Sequence, residues 1–343
     1  MMSAEFFPPD WLPASNIYEV NLRQYTPEGT FDAFSKSLPR LKDMGIEILW
    51  FMPVTPISHL KRLGSLGSYY ACSDYLTTNP EYGTVEDFKR LVRQAHDLGL
   101  KVMIDWVANH TGWDHRWTRE HPEYYRKDHE GNFFDSHGWE DVIDLNYDNA
   151  ALREAMLEAM KFWVTACDID GFRCDMAMLV PLDFWRNARI ELDRIKKLAW
   201  LAECEEIAYH RVFDASYTWK FLHCMEAVWR KEGPAAPAAL DEVLQYYDQQ
   251  FPPWAIRAYF TSNHDENSHS GSEYERLGDS AKTFAVLCCT WNGIPLIYSG
   301  QDVRSVPDLE KILQRASGTV KLEGVFAGYE GVYSYPLRLS SGN

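Results

Sequence analysis

One unit recurs along this chain, and it limits the fold more than any single residue does. It is an amphipathic helix opened by a capping residue, closed by a glycine, and followed at once by a short apolar strand. In "TFDAFSKSLPRLKDMGIEILWF" Thr30 stands at the cap, Phe31, Phe34, Leu38 and Leu41 fall at helical spacing, and Gly45 stops the helix. "TVEDFKRLVRQAHDLGLKVMIDW" repeats the plan with Thr84, Phe88, Leu91, Val92, Ala95 and Gly99. Pro39 is expected to kink the first of these helices. Asn149 caps "AALREAMLEAMKFWVTACDID", which leads into "GFRCD". "PLDFWRNARIELDRIKK" leads into "LAWLAE", and "EYERLGDSAKTFAVLCCTWN" into "GIPLIYSG". With "NIYEVN", "VFDASY" and "IRAYFTS" the candidate strands number eight.

Strands that alternate with helices imply a parallel sheet. Eight of them favour a closed (β/α)8 TIM barrel. The rival, an open doubly wound sheet, would carry a glycine-rich phosphate loop after an early strand, and the sequence has none there. Two connections are too long for simple barrel turns: residues 53–83, and a polar, aromatic, His-rich insertion at 110–148 after the third strand. The expected organisation is therefore a barrel built from 1–109 and 149–312, the insertion 110–148, and a short tail 313–343 forming at most a hairpin or two. A barrel wall left bare near strands one and eight would invite self-association.

Acids fall at four strand ends: Asp105 in "VMIDWVANH", Asp175 in "GFRCD", Glu203 in "LAWLAE" and Asp265 in "FTSNHDENS". A barrel aligns its strands, so residues remote in sequence converge on one rim. The 28 positions from Asp175 to Glu203 make one βα unit, and the 62 from Glu203 to Asp265 make two. One acid at a strand end is commonplace. Four, with His110, Arg173 and His264 close by in sequence, argue for a site, because clustered like charges cost energy that a purely structural design would avoid. Paired carboxylates suit glycoside hydrolysis. One must stay ionised as nucleophile, and Arg173 favours that form of Asp175. The second must give and take a proton, which falls to Glu203 after its apolar strand. A third, Asp265, is placed to bind and distort the sugar.

Composition narrows the ligand. The net charge of −16 argues against nucleic acid and anionic membranes as partners. The 13 Trp and 19 Tyr mildly favour a carbohydrate. No run of eighteen apolar residues suggests a membrane span. The start, "MMSAEFFPPDWLP", lacks the basic and long apolar regions of a signal peptide, so a cytoplasmic location is expected. The seven Cys lack zinc spacing and read as small buried hydrophobes. The insertion's histidines are too irregularly spaced for a metal cluster, and Trp106, Trp113, Trp117 and Trp139 are read as packing it rather than lining a cleft.

"DWVANH", "GFRCD", the glutamate of "LAE" and "SNHD" resemble, in order, the four signature regions of the α-amylase family, glycoside hydrolase family thirteen. "GSYYACSDYLTTNPEYGT" and "GIPLIYSGQD" resemble two further family segments, so the likeness runs over roughly residues 16–302. The resemblance implies that 110–148 is a short domain B and that the usual C-terminal β-sandwich is lacking. It implies Asp175 as nucleophile, Glu203 as general acid/base, Asp265 as transition-state stabiliser and Asp105 as a structural aspartate. It also implies Arg173 as the arginine positioning the nucleophile, His110 and His264 as sugar-hydroxyl ligands, and Tyr70 as the ring beneath the sugar. The implied activity is retaining hydrolysis of α-glucosidic bonds in starch-derived glucans or maltooligosaccharides. The alternatives are a glucanotransferase on the same site and a non-catalytic glucan-binding relative. Asn109 and Asp144 match two family calcium ligands, but Met178 and Leu179 replace the family's Lys-His pair. No metal or other cofactor is expected to be required.

Overall fold

All eight expected strands form in the computed structural model, which describes residues 5–230, 235–304, 319–326 and 329–336. They are β1 (Ile17–Val20), β2 (Ile48–Phe51), β3 (Lys101–Trp106), β6 (Gly171–Cys174), β7 (Ala199–Ala202), β8 (Ala215–Tyr217), β9 (Ile256–Tyr259) and β10 (Ile294–Tyr298). They close into a parallel barrel in the order β1-β10-β9-β8-β7-β6-β3-β2. Most of these strands are buried along their whole length, as parallel strands covered on both faces must be. Within the insertion, β4 (His110–Gly112) and β5 (Val142–Asp144) pair antiparallel, with His110 opposite Asp144. In the tail, β11 (Thr319–Phe326) and β12 (Tyr329–Pro336) make one antiparallel hairpin. The rest of 313–343 lies outside the described residues.

The helices start where their caps are. Thr30 Oγ accepts the Ala33 N–H at 3.2 Å, and Asn149 Oδ1 accepts those of Ala151 and Leu152 at 2.9 and 3.3 Å. Thr84 and Asp87 exchange bonds in a full capping box on the helix Val85–Asp97, whose Phe88, Leu91, Val92 and Ala95 are buried. Gly45 and Gly99 take the left-handed conformation that ends a helix, with φ of 95° and 73°. After the helix Ala150–Cys167 an aspartate, Asp168, does so at φ 57°.

Two expectations fail in detail. Pro39 does not kink one helix; the segment breaks into Phe31–Ser35 and Leu38–Asp43, and Pro39 sits in the first turn of the second. There its missing N–H would have had no intrahelical partner anyway. The stretch read as one helix before β10 is likewise divided, into Glu273–Leu277 and Ala281–Thr290. Gly278 makes the break at φ 51°, and a Cβ there would lie 2.2 Å from the Trp229 ring.

Contacts divide the chain into two compact units. The first comprises Met1–Asn21, Pro39–Leu49 and Cys204–Asn343, the second Leu22–Leu38 and Trp50–Glu203. In the first, β8, β9, β10 and β1 are laid side by side, with Glu19 level with Tyr298. In the second, β3, β6 and β7 are neighbours. Large apolar side chains exposed among the described residues are Phe7, Leu60, Leu63, Leu66, Leu76 and Ile195. Four of these six lie on the loop 53–83, whereas the sequence pointed to the wall beside β1 and β10. No described helix is long and apolar enough to cross a membrane.

Candidate active site

The second unit positions its candidate residues by strand register. Asp105 on β3 is level with Arg173 on β6, and Cys174 with Ala202 on β7. Asp175 and Glu203 each follow the last residue of their strand by one, and the ladder continues through them. The Asp175 N–H donates to Trp106 O at 3.1 Å, and the Glu203 N–H to Cys174 O at 3.0 Å. Side chains alternate along a strand, so Arg173 and Asp175 share a face. The run "GFRCD" thus places a guanidinium and a carboxylate side by side. Gly171 stands at its start because β7 passes so close: a Cβ there would meet Ala199 O at 2.4 Å.

Arg173 is fully buried and gathers three carboxylates. Its Nη1 donates to Asp105 at 2.9 and 3.1 Å and to Asp175 Oδ1 at 3.0 Å, while its Nη2 lies 2.9 Å from Glu203 Oε2. One planar cation therefore ties the two acids proposed for chemistry to the one proposed for structure. Tyr70 Oη donates to Asp105 Oδ2 at 3.1 Å, so this ring is anchored through the same aspartate. Glu203 Oε2 also accepts the N–H of Met176 at 2.9 Å. Met176 has φ 40°, a conformation a methionine rarely adopts, and it turns that amide toward the carboxylate. Trp50 on β2 faces the Arg173 guanidinium, 4.9 Å from it to the ring centre.

His110 opens β4, buried, with its ring edge-to-face against Trp139 at 5.3 Å. Burial lowers its pKa to about 4, so it is a neutral imidazole at pH 7. Its Nδ1 lies 3.3 Å from Asn109 Nδ2. Of the four tryptophans named above, Trp106 and Trp117 are buried and pack, while Trp113 and Trp139 are half-exposed.

The first unit holds the remaining candidates. Asn263 caps the helix His264–His269 by accepting the Glu266 N–H at 2.8 Å, which sets His264 and Asp265 in the first turn. His264 Nδ1 lies 2.6 Å from Glu19 Oε1, and its Nε2 3.3 Å from Asp265 Oδ1. Glu19 is fully buried on β1, and the sequence analysis passed over it. Its signal was there: the one charged residue in "NIYEVN", between Tyr18 and Val20. Trp50 and Met176 were also missed, and neither carries a signal that a sequence alone would separate from core packing.

Calcium needs six to eight oxygen ligands. Asp144 Oδ2 accepts both the N–H and the hydroxyl of Ser136, and the Asn109 amide is turned to His110. Among the described residues no group of three or more His, Cys, Asp or Glu is arranged to hold a metal ion. Asn109 and Asp144 could supply only part of such a set, and Asp144 Oδ1 is buried with no hydrogen-bond partner among the described residues.

The fold is a closed parallel (β/α)8 barrel, and two of its strand ends present carboxylates on one guanidinium. The "Alpha amylase, catalytic domain" family matches this chain over residues 14–141 and 124–317, and the chain belongs to that family. It is 30% identical over 310 residues to the α-amylase MalA of Haloarcula japonica, covering 86% of this chain and 45% of that protein. It is 26% identical over 356 residues to the 4-α-glucanotransferase of Thermotoga neapolitana, covering 90% of this chain and 77% of that protein. The crystal structure of a noncanonic maltogenic α-amylase, AmyB, from Thermotoga neapolitana matches with a TM-score of 0.77 at 36% identity, over 85% of this chain and 68% of that one. The chain thus spans less than half the length of the haloarchaeal amylase.

Proposed function

We propose that the protein hydrolyses α-glucosidic bonds of starch-derived glucans or maltooligosaccharides with retention of configuration. The observation that carries this is the sharing of Arg173 by Asp175 and Glu203, at 3.0 and 2.9 Å on its two terminal nitrogens. Neighbouring nitrogens of one guanidinium keep the two carboxyl groups close. Retaining enzymes need about 5–5.5 Å, whereas inverting ones leave about 6.5–9.5 Å for a water. In this reading Glu203 gives its proton to the glycosidic oxygen as Asp175 attacks the anomeric carbon, forming a covalent glycosyl-enzyme. Glu203 then takes a proton from water, which displaces Asp175 and releases the sugar. Arg173 favours the ionised form of Asp175, neutral His110 binds sugar hydroxyls, as does His264, Tyr70 lies beneath the ring, and Asp265 stabilises charge in the transition state. Asp105 positions Arg173 and Tyr70.

Transfer to a sugar hydroxyl on the same site is the second reading, supported by the similarity to a 4-α-glucanotransferase. Longer oligosaccharides among the products would favour it, and release of reducing sugar favours hydrolysis. A non-catalytic glucan-binding role has the three acids and their arginine against it. The burial of six of the seven cysteines supports a reducing compartment such as the cytoplasm. The test is Asp175→Asn and Glu203→Gln, each nearly isosteric. Each should lose about four or more orders of magnitude in kcat on maltoheptaose with the fold intact. Near-normal turnover by either variant would refute the assignment.

A further inference from the structure

Asp265 is the most exposed of the three acids, its side chain 43% accessible, so something other than burial must fix it. It lies on the segment from the end of β9 to the helix Glu273–Leu277. A single buried guanidinium ties that segment at three points. Arg276, 4% exposed, donates from Nη2 to Thr261 O at 2.5 Å and from Nε to Gly271 O at 3.3 Å, and its Nη1 lies 3.5 Å from Glu266 Oε2. Thr261 precedes Asp265 by four residues, Glu266 follows it directly and Gly271 comes six residues after. The start, middle and end of the segment therefore converge on one side chain. Arg276 is itself anchored, Nη1 donating to Glu226 Oε1 of the helix Trp219–Arg230 at 2.7 Å.

We propose that Arg276 is the positioning residue for Asp265: it holds the segment in the one arrangement that presents that carboxylate to the sugar. The inference rests on the reading of Asp265 as third acid. Four acceptors in different directions need the fixed fork of an arginine; a lysine keeps the charge but offers it from one point. The role is geometric, and a displacement of about 1 Å at a reacting centre costs about 10²-fold in rate.

Arg276→Lys and Asp265→Asn are to be made singly and together, with kcat and KM measured on maltoheptaose and folding followed by thermal melting. Arg276→Lys should fold, lose about 10²-fold in kcat and change KM little. In the Asp265→Asn background it should cost nothing further, because the group it positions is already gone. Losses that multiply in the double variant, or a wild-type kcat for Arg276→Lys, would overturn the proposal. Wild-type kcat for Asp265→Asn would instead refute the reading of the third acid and take this inference with it. If Arg276→Lys does not fold, Glu226→Gln serves in its place, with about a tenfold loss in kcat that likewise vanishes beside Asp265→Asn. A loss that persists there overturns the proposal equally.

Discussion

Arg173 touches Asp105, Asp175 and Glu203 from a position with no solvent, so the arrangement depends on the shape of the cation as much as on its charge. Lysine at this position would keep the charge and lose the fork, leaving at least one buried carboxylate without its partner. Arg173→Lys should therefore lower kcat by about 10²-fold or more, and lower stability by about 3–5 kcal/mol, the cost of breaking a buried pair. Steady-state kinetics and denaturant unfolding check the two parts. An Arg173→Lys variant with normal kcat would mean that the charge alone suffices. At this scale the sequence shows the residues but not all their partners. Asp175, Glu203 and Arg173 stand in motifs that point to the chemistry proposed for them. Glu19 acquires a role only when His264, far along the chain, is brought to 2.6 Å from it.

At the scale of elements, legibility followed the strength of the local signal. Short strand-like runs marked every barrel strand, and caps with glycine stops marked those before β2 and β3, because each is a short-range feature that the finished fold reuses without change. Boundaries inside helices were less legible. The break before Leu38 and the break at Gly278 depend on what packs against the backbone, as the approach of Trp229 to Gly278 shows. Long connections were legible as length alone. That 110–148 would form the pair β4 and β5, with His110 opposite Asp144, could not be read from a polar stretch without alternation. Calcium was not legible for a similar reason: two matching residues say nothing of what else their oxygens are bonded to. Asp144 turned out to be engaged with Ser136.

For the molecule as a whole, three buried histidines couple stability to pH. Burial lowers His110 and His210 to about 4 and His115 to about 3. In the unfolded chain each takes its proton near pH 6.5. Between about pH 6.5 and 4 the unfolded state therefore binds more protons, and stability rises with pH across that window. Burial raises Asp141, Asp144 and Glu205, which works the other way. The melting temperature should fall on going from pH 7 to pH 5, by an amount worth on the order of 1–2 kcal/mol for each histidine. A melting temperature that is level or rises over that interval would contradict this. The central claim is chemical: Asp175 forms a covalent bond with the sugar. Incubation with a fluorinated α-glucosyl fluoride, which slows breakdown of such an intermediate, followed by peptide mass analysis, tests it directly. The account predicts one added glycosyl mass on the peptide containing Asp175, absent from Asp175→Asn. Turnover with no adduct on that peptide, giving products of inverted configuration, would contradict it.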